Sequence, residues 1–510
     1  MKSCYTTKNN MEVHMHYFNK LFFILALIVS LLTVGACSTN PATGRQSFTA
    51  FMSVEKEKEV GATEHPKIVK QFGGIYQDKN LNSYVARIGA KLAQFSELPT
   101  MKYTFTILND EKVNAFALPG GYVYVTRGLL AIVANEAEMA GVLAHEIGHI
   151  TARHSSQRYS ASKATNIGLQ ILGAIGSIAG APTGASQLAS LGGRAALKSY
   201  SREQELEADM LGVRYLSRVG YDPYAMTSFF NKLKSHSKLE ADMRGKINKS
   251  ERINIMSTHP LTSERISKAE KLLAQIEVTG KERGQKTYEN EIDGLVFGDD
   301  PGQGIRRGQI FEHPALGFRF EVPTGFTMIN TPNKLTARSS DGSVISFDMA
   351  PGEKIQEVGG ITDYIKAINF KGYKFQDVKD LKINGMNGAT GFLRLNNAGI
   401  RRDIRLLVIK KERDQIFRLL FETNTKDADL MALNFKQIIF SFKRLSQKEI
   451  LNIRPLRIRF KTVSRGDSIE VLARDMPIDR FALEWFELLN KIKRDTSLKI
   501  GDRVRVIAEY

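Results

Sequence analysis

His145-Glu146-Ile147-Gly148-His149 sets two imidazoles four residues apart with a carboxylate beside the first. On a helix, residues four apart share a face, so both imidazoles can reach one ion and Glu146 lies next to it. The flanking sequence predicts that helix. Asn135 can cap the first turn, and Glu138 three residues later completes a capping pair. Met139, Val142, Leu143, Ile147 and Ile150 form an apolar stripe that buries it.

A second helix is signalled at Ser201-Arg202-Glu203-Gln204-Glu205-Leu206-Glu207-Ala208-Asp209, where Ser201 and Gln204 repeat the capping pattern. Glu205 and Asp209 again lie four apart. Alone, this run reads as a solvated charged face. Beside the first motif, Glu205 becomes a third metal ligand. Asp209 is placed to accept an N–H from a ligating imidazole and fix its tautomer. His145, His149 and Glu205 leave one coordination position of a zinc ion for water, the arrangement of a catalytic site. His154, five residues past His149, turns off the ligand face of a continuing helix and reads as structural.

Two further strings accompany these: Asn114-Ala115-Phe116-Ala117-Leu118-Pro119-Gly120-Gly121 upstream, and Ser257-Thr258-His259-Pro260 with Arg265-Ile266 downstream. Together, in this order, they resemble the HtpX- and BepA-like zinc metallopeptidases of the gluzincin class. The resemblance covers less than half of the chain. It implies hydrolysis of peptide bonds with one Zn2+ per chain. Glu146 would take a proton from the zinc-activated water and return it to the leaving amine. His259 is the candidate donor to the developing oxyanion. Residues 103–108 and 122–125 read as paired strands. An exposed edge there could hold an extended polypeptide through backbone hydrogen bonds, with Asn114, Ala115, Phe116 and Ala117 as substrate-contacting residues. An ordinary core hairpin is the other reading.

Lys20 precedes a mostly apolar run over 21–34, too short to span a bilayer comfortably, that ends in Gly35-Ala36-Cys37. Small residues directly before a cysteine resemble the lipobox of bacterial lipoproteins. That resemblance implies a signal peptide over 1–36, lipid on Cys37, and a periplasm-facing place in the cell envelope. Ser38 rather than Asp points to the outer membrane. Cys4 and Cys37 are the two cysteines of the chain, which excludes a disulfide framework. Hydrophobic residues at 42% and charged residues at 25% of 510 exclude a disordered, fibrous or polytopic membrane protein. The net charge is +18. An excess of positive charge suits anionic lipid or cell-wall polymers. No nucleic-acid recognition motif accompanies it.

The expected architecture is multidomain α+β. A lipidated tether over 37–50 leads to a mainly helical zincin-type peptidase domain with a small sheet, 51–280. A linker over 281–310, rich in Gly and Asp, precedes an antiparallel α+β domain, 311–445, with no catalytic constellation. The last unit, 446–510, resembles a LysM module over 458–507. This implies a βααβ fold and docking to peptidoglycan. The Gly- and Ala-rich stretch 164–197 reads equally as a mobile lid or as a tightly packed helical hairpin. The leading functional reading is a zinc endopeptidase acting on misfolded or misassembled envelope proteins. The alternative is a chaperone-like binding or assembly factor whose zinc site is latent or blocked.

Overall fold

The computed structural model describes residues 37–165, 199–244, 255–275, 280–397 and 400–509. The expected signal peptide over 1–36 and nearly all of the 164–197 stretch lie outside the described residues. No helix among the described residues is long and apolar enough to cross a membrane.

The expected peptidase region opens on a hairpin of two short strands, Cys37–Thr39 and Gln46–Phe48. It continues through α1 (Val54–Gln71) and α2 (Lys79–Gln94). In α2, Leu81, Tyr84, Val85, Ile88 and Leu92 recur at helical spacing and are buried. A three-stranded sheet follows: β1 (Thr104–Leu108), β2 (Ala115–Leu118) and β3 (Tyr122–Thr126), in the order β1-β3-β2. The expected strand pair is present, but β1 and β3 run parallel, so they cannot form a hairpin. The hairpin partner of β3 is β2, the edge strand. The turn between them needs glycine. Gly120 and Gly121 have φ of +85° and +90°, and a Cβ on Gly121 would lie 2.3 Å from the Lys102 carbonyl.

Helix α3 (Glu136–Thr151) is buried along its whole length, at the centre of the domain. The Asn135 side chain accepts from the Glu138 N–H at 2.9 Å. Helix α4 (Arg202–Val219) begins with a capping box of Ser201 and Gln204. It packs on α3 at two glycines. A Cβ on Gly148 would meet the Ala208 carbonyl at 3.1 Å, and one on Gly212 would meet the His145 backbone nitrogen at 3.3 Å. These absent side chains let the two ligand-bearing helices approach closely. Helices α5 (Ala225–Arg244) and α6 (Ser263–Gln275) complete the shell.

The 281–310 stretch is not the expected loose linker. It forms a helix, Gln285–Ile292, and a strand, Val296–Phe297, that pairs with Leu456–Thr462 of the last unit. Gly294, Gly298 and Gly304 have φ of +93°, +69° and +88° and make turns. Arg306 lies 2.7 Å from both the Glu111 and the Asp299 carboxylates, tying the stretch to the peptidase region. Nor is 37–50 a free tether. Asn40 and Ala42 are buried against the peptidase region.

The middle domain is built on a seven-stranded antiparallel sheet from Phe326–Thr331 at one edge to Gln376–Ile383 at the other. Strand side chains alternate between faces. Leu407 and Ile409 enter one apolar cluster, while Ile404, Leu406 and Val408 enter another, so the sheet is covered on both sides. His313 is buried at the edge of the first cluster, where its Nδ1 accepts from the Leu316 N–H at 3.3 Å. Burial pushes its imidazole down to about 4. The folded state therefore resists protonation that the unfolded chain accepts near pH 6.5. Stability is level above that pH and falls as pH drops toward 4. The linkage predicts a loss of about 2 kcal/mol between pH 7 and pH 5. Urea unfolding at the two pH values checks this, and His313→Gln should reduce the difference by about that amount.

The last unit runs strand, helix, helix, strand: Leu456–Thr462, Ile469–Arg474, Ala482–Asn490 and Arg503–Glu509. Its two strands are antiparallel, with Ile458 opposite Ile507. It does not stand apart. Its apolar residues join the same core as the peptidase helices, and buried Arg505 donates to the carbonyls of Ala131 and Val133 at 2.8 Å each.

Candidate metal centre

Helix periodicity carries His145 and His149 to one face of α3, and α4 brings Glu205 opposite them. The His145 and His149 Nε2 atoms are 3.0 Å apart. Each lies 3.6 Å from a Glu205 carboxylate oxygen. His259, expected beside the metal as an oxyanion donor, does lie there, close enough to be a fourth ligand as well. Its Nδ1 is 2.9 Å from Glu205 Oε1 and 3.3 Å from His145 Nε2. The four ligand atoms lie within 4.8 Å of one another, and all four residues are buried. A tetrahedron with zinc–ligand bonds of about 2.0–2.1 Å has edges of roughly 3.3 Å. The donor set and its spacing therefore fit one zinc ion, with four protein groups converging where three were expected.

Around these atoms the charges are matched. Asp209 Oδ1 lies 2.9 Å from His145 Nδ1, the position expected of a carboxylate that orients the ring. Arg265 forks onto Asp209 at 2.7 Å through two nitrogens, and its third lies 2.6 Å from Glu205 Oε2. Burial raises the Glu205 carboxyl, but His259 and His149 more than offset it and hold the group well below the usual carboxylate range. Burial also raises Asp209, and Arg265 outweighs it. Glu146 differs. Burial pushes it up, and neither carboxylate oxygen has a hydrogen-bond partner, although His259 Nε2 lies 3.4 Å from one of them. A buried carboxylate left without donors is costly, so Glu146 is poised to take a proton.

Several contributors were not anticipated. His154 is one: its Nδ1 lies 2.8 Å from Nδ1 of His149, and its Nε2 lies 3.1 Å from Glu207. The helix does not continue to carry it away. It ends at Thr151, and Arg153, with φ of +56°, reverses the chain so that a new helix starts at 154. A charged residue in a left-handed turn has no sequence signature as plain as glycine. Tyr200 is another, stacked on His149 with ring centroids 3.6 Å apart.

The proposed substrate residues Asn114, Ala115, Phe116 and Ala117 are fully or nearly fully buried at the sheet edge, where β2 packs on α3. The Asn114 amide has no hydrogen-bond partner at either of its side-chain polar atoms. Against His145, Glu146, His259 and Arg265 lies an apolar cavity of about 20 Å³, walled by Val142, Met226, Phe229 and Ile255. It holds about one water and no substrate side chain.

Residues 79–273 match the family described as Peptidase family M48. The beta-barrel assembly-enhancing protease of Escherichia coli is 29% identical over 263 residues, covering 48% of this chain and 51% of that one. The putative beta-barrel assembly-enhancing protease of Vibrio cholerae is 32% identical over 201 residues, covering 38% and 39%. The mitochondrial metalloendopeptidase OMA1 of Schizosaccharomyces pombe is 28% identical over 244 residues, covering 47% and 67%. The chain spans about half the length of the Escherichia coli relative.

Proposed function

We propose, from the membership of residues 79–273 in Peptidase family M48, that the chain is a zinc-dependent endopeptidase for polypeptides of the cell envelope. The observation that carries this reading is the buried group His145, His149, Glu205 and His259, with the Glu146 carboxylate, free of hydrogen bonds, at its side. Zinc held there would supply Lewis acidity toward water and a scissile carbonyl. Glu146 accepts the proton of the attacking water and passes it to the leaving nitrogen. Asp209 and Arg265 hold His145 and Glu205 in register. His259 closes the resting site and withdraws to admit substrate, after which its ring can donate to the oxyanion. Asn114, Ala115, Phe116 and Ala117 are buried, so an extended peptide would meet β2 only where substrate entry uncovers that edge.

The lipobox-like Gly35-Ala36-Cys37 supports anchoring by lipid on Cys37, at the outer membrane. The strand–helix–helix–strand order of the last unit supports a LysM-like role toward peptidoglycan. Misfolded or misassembled envelope proteins are the proposed substrates. The small size of the cavity favours a second reading, a chaperone-like assembly factor with a latent site.

The test uses purified mature protein with unfolded casein. One zinc per chain is expected, with cleavage lost on chelation and restored by zinc. Glu205→Ala should retain the fold and lose stoichiometric zinc. Cleavage that persists after complete chelation counts against the reading. Zinc-loaded protein that binds casein without cutting it supports the second.

A further inference from the structure

The hydrogen-bond partners of His149 lead away from the cavity to the opening hairpin. Asn40 sits there with its amide orientation fixed. Its Oδ1 accepts from the Ala42 N–H at 2.9 Å, which leaves Nδ2 to donate to Glu207 Oε1 at 3.0 Å. The other Glu207 oxygen faces His154 Nε2 at 3.1 Å, so that nitrogen carries the hydrogen. Neutral His154 then has a bare Nδ1, which can only accept. Its partner, His149 Nδ1 at 2.8 Å, must donate. That assigns the remaining lone pair of His149 to Nε2, the atom that faces the other metal-ligating groups. Four side chains thus agree on one arrangement of hydrogens.

The geometry is held at both ends. His149, His154 and Asn40 are at most 2% exposed. Arg153, whose left-handed turn aims His154, donates to Glu57 at 2.8 Å, to the Ser38 hydroxyl at 2.9 Å and to the Met52 carbonyl at 2.8 Å. The hairpin therefore supplies both the first donor of the relay and a clamp on its bend.

We propose that Asn40, Glu207 and His154 are positioning residues that fix the tautomer and ring orientation of His149, making the hairpin that begins at residue 37 part of the metal centre. The inference rests on the proposed metal-ligating role of His149. Outer partners of ligating histidines typically contribute 10–100-fold to metal affinity. Asp209 plays the corresponding part for His145.

The experiment measures zinc affinity of the full mature chain by competition with a chromophoric chelator, and the melting temperature of each zinc-free protein. The variants are Asn40→Ala, His154→Phe and His154→Gln. His154→Phe should bind zinc about 10–100-fold more weakly. Asn40→Ala, at the far end from the metal, should weaken binding several-fold while its zinc-free melting temperature stays at the wild-type value. His154→Gln, whose amide can accept from His149 and donate to Glu207, should recover most of the loss. The Asn40→Ala and His154→Phe effects should not add, since both cut one relay. Unchanged zinc affinity in Asn40→Ala and His154→Phe overturns the proposal. So does a loss in His154→Phe that Gln fails to recover. Should His154→Phe not fold, Asn40→Ala decides alone. Wild-type protein that binds no zinc would instead remove the reading of the site itself, which keeps the two failures apart.

Discussion

Glu146→Gln protein is expected to carry wild-type zinc, melt at the wild-type temperature or above, and cleave casein roughly 10²–10⁴-fold more slowly. The size follows from what the substitution takes away. The amide matches the carboxylate in shape but cannot accept and return a proton. The stability follows from the surroundings. The carboxylate is buried without a hydrogen-bond donor, and burial alone pushes its proton affinity up. An uncharged amide relieves that desolvation. Single-turnover cleavage, zinc content and a melting curve on one preparation check all three. Equal rates for the two proteins would remove Glu146 from the mechanism.

Arg265→Ala is expected to cost about 3–5 kcal/mol of folding free energy. The guanidinium is buried and faces two carboxylates, Asp209 and Glu205, each nearly inaccessible to solvent. Deleting it leaves both charges buried with only the histidines beside them. Arg265→Lys should recover only part of the loss, because an ammonium cannot reproduce the fork onto Asp209. Urea unfolding of the three zinc-free proteins measures the effect. A loss below about 1 kcal/mol would place this cluster among exposed ion pairs rather than buried ones.

The zinc helices were legible because every signal was local. Two histidines at i and i+4, an Asn or Ser before the first turn, and an acid or amide three residues on all concern neighbours along one helix. Glu205 and Asp209 were legible for the same reason. The place of His259 beside the metal group is legible, but nothing in Thr258-His259-Pro260 states how close the turn comes. His154 reads as structural and lies outside the candidate metal group, but its contact with His149 is not legible, because the helix that would carry it away stops at Thr151. The left-handed Arg153 is stabilised by Glu57, Ser38 and Met52, which are remote in sequence. The same blindness to distant partners turned 281–310 into a linker. Its glycines and aspartates suggest flexibility, whereas Arg306 pairs with the distant Glu111 and Val296–Phe297 extends the sheet of the last unit. Strand polarity was also beyond local reading. Nothing in 103–108 and 122–125 states that 115–118 lies beside the second of them.

The hairpin at residues 37–48 leaves no slack in the chain. A protein on a long leash can patrol a deep layer of fluid above the surface that holds it. Under the proposed acylation of Cys37, this one would instead be moored close to the surface, its metal centre a short way above the headgroups. Reach, rather than sequence taste, would then choose its prey: a polypeptide stalled close to the bilayer could be threaded in, while one drifting free would pass overhead.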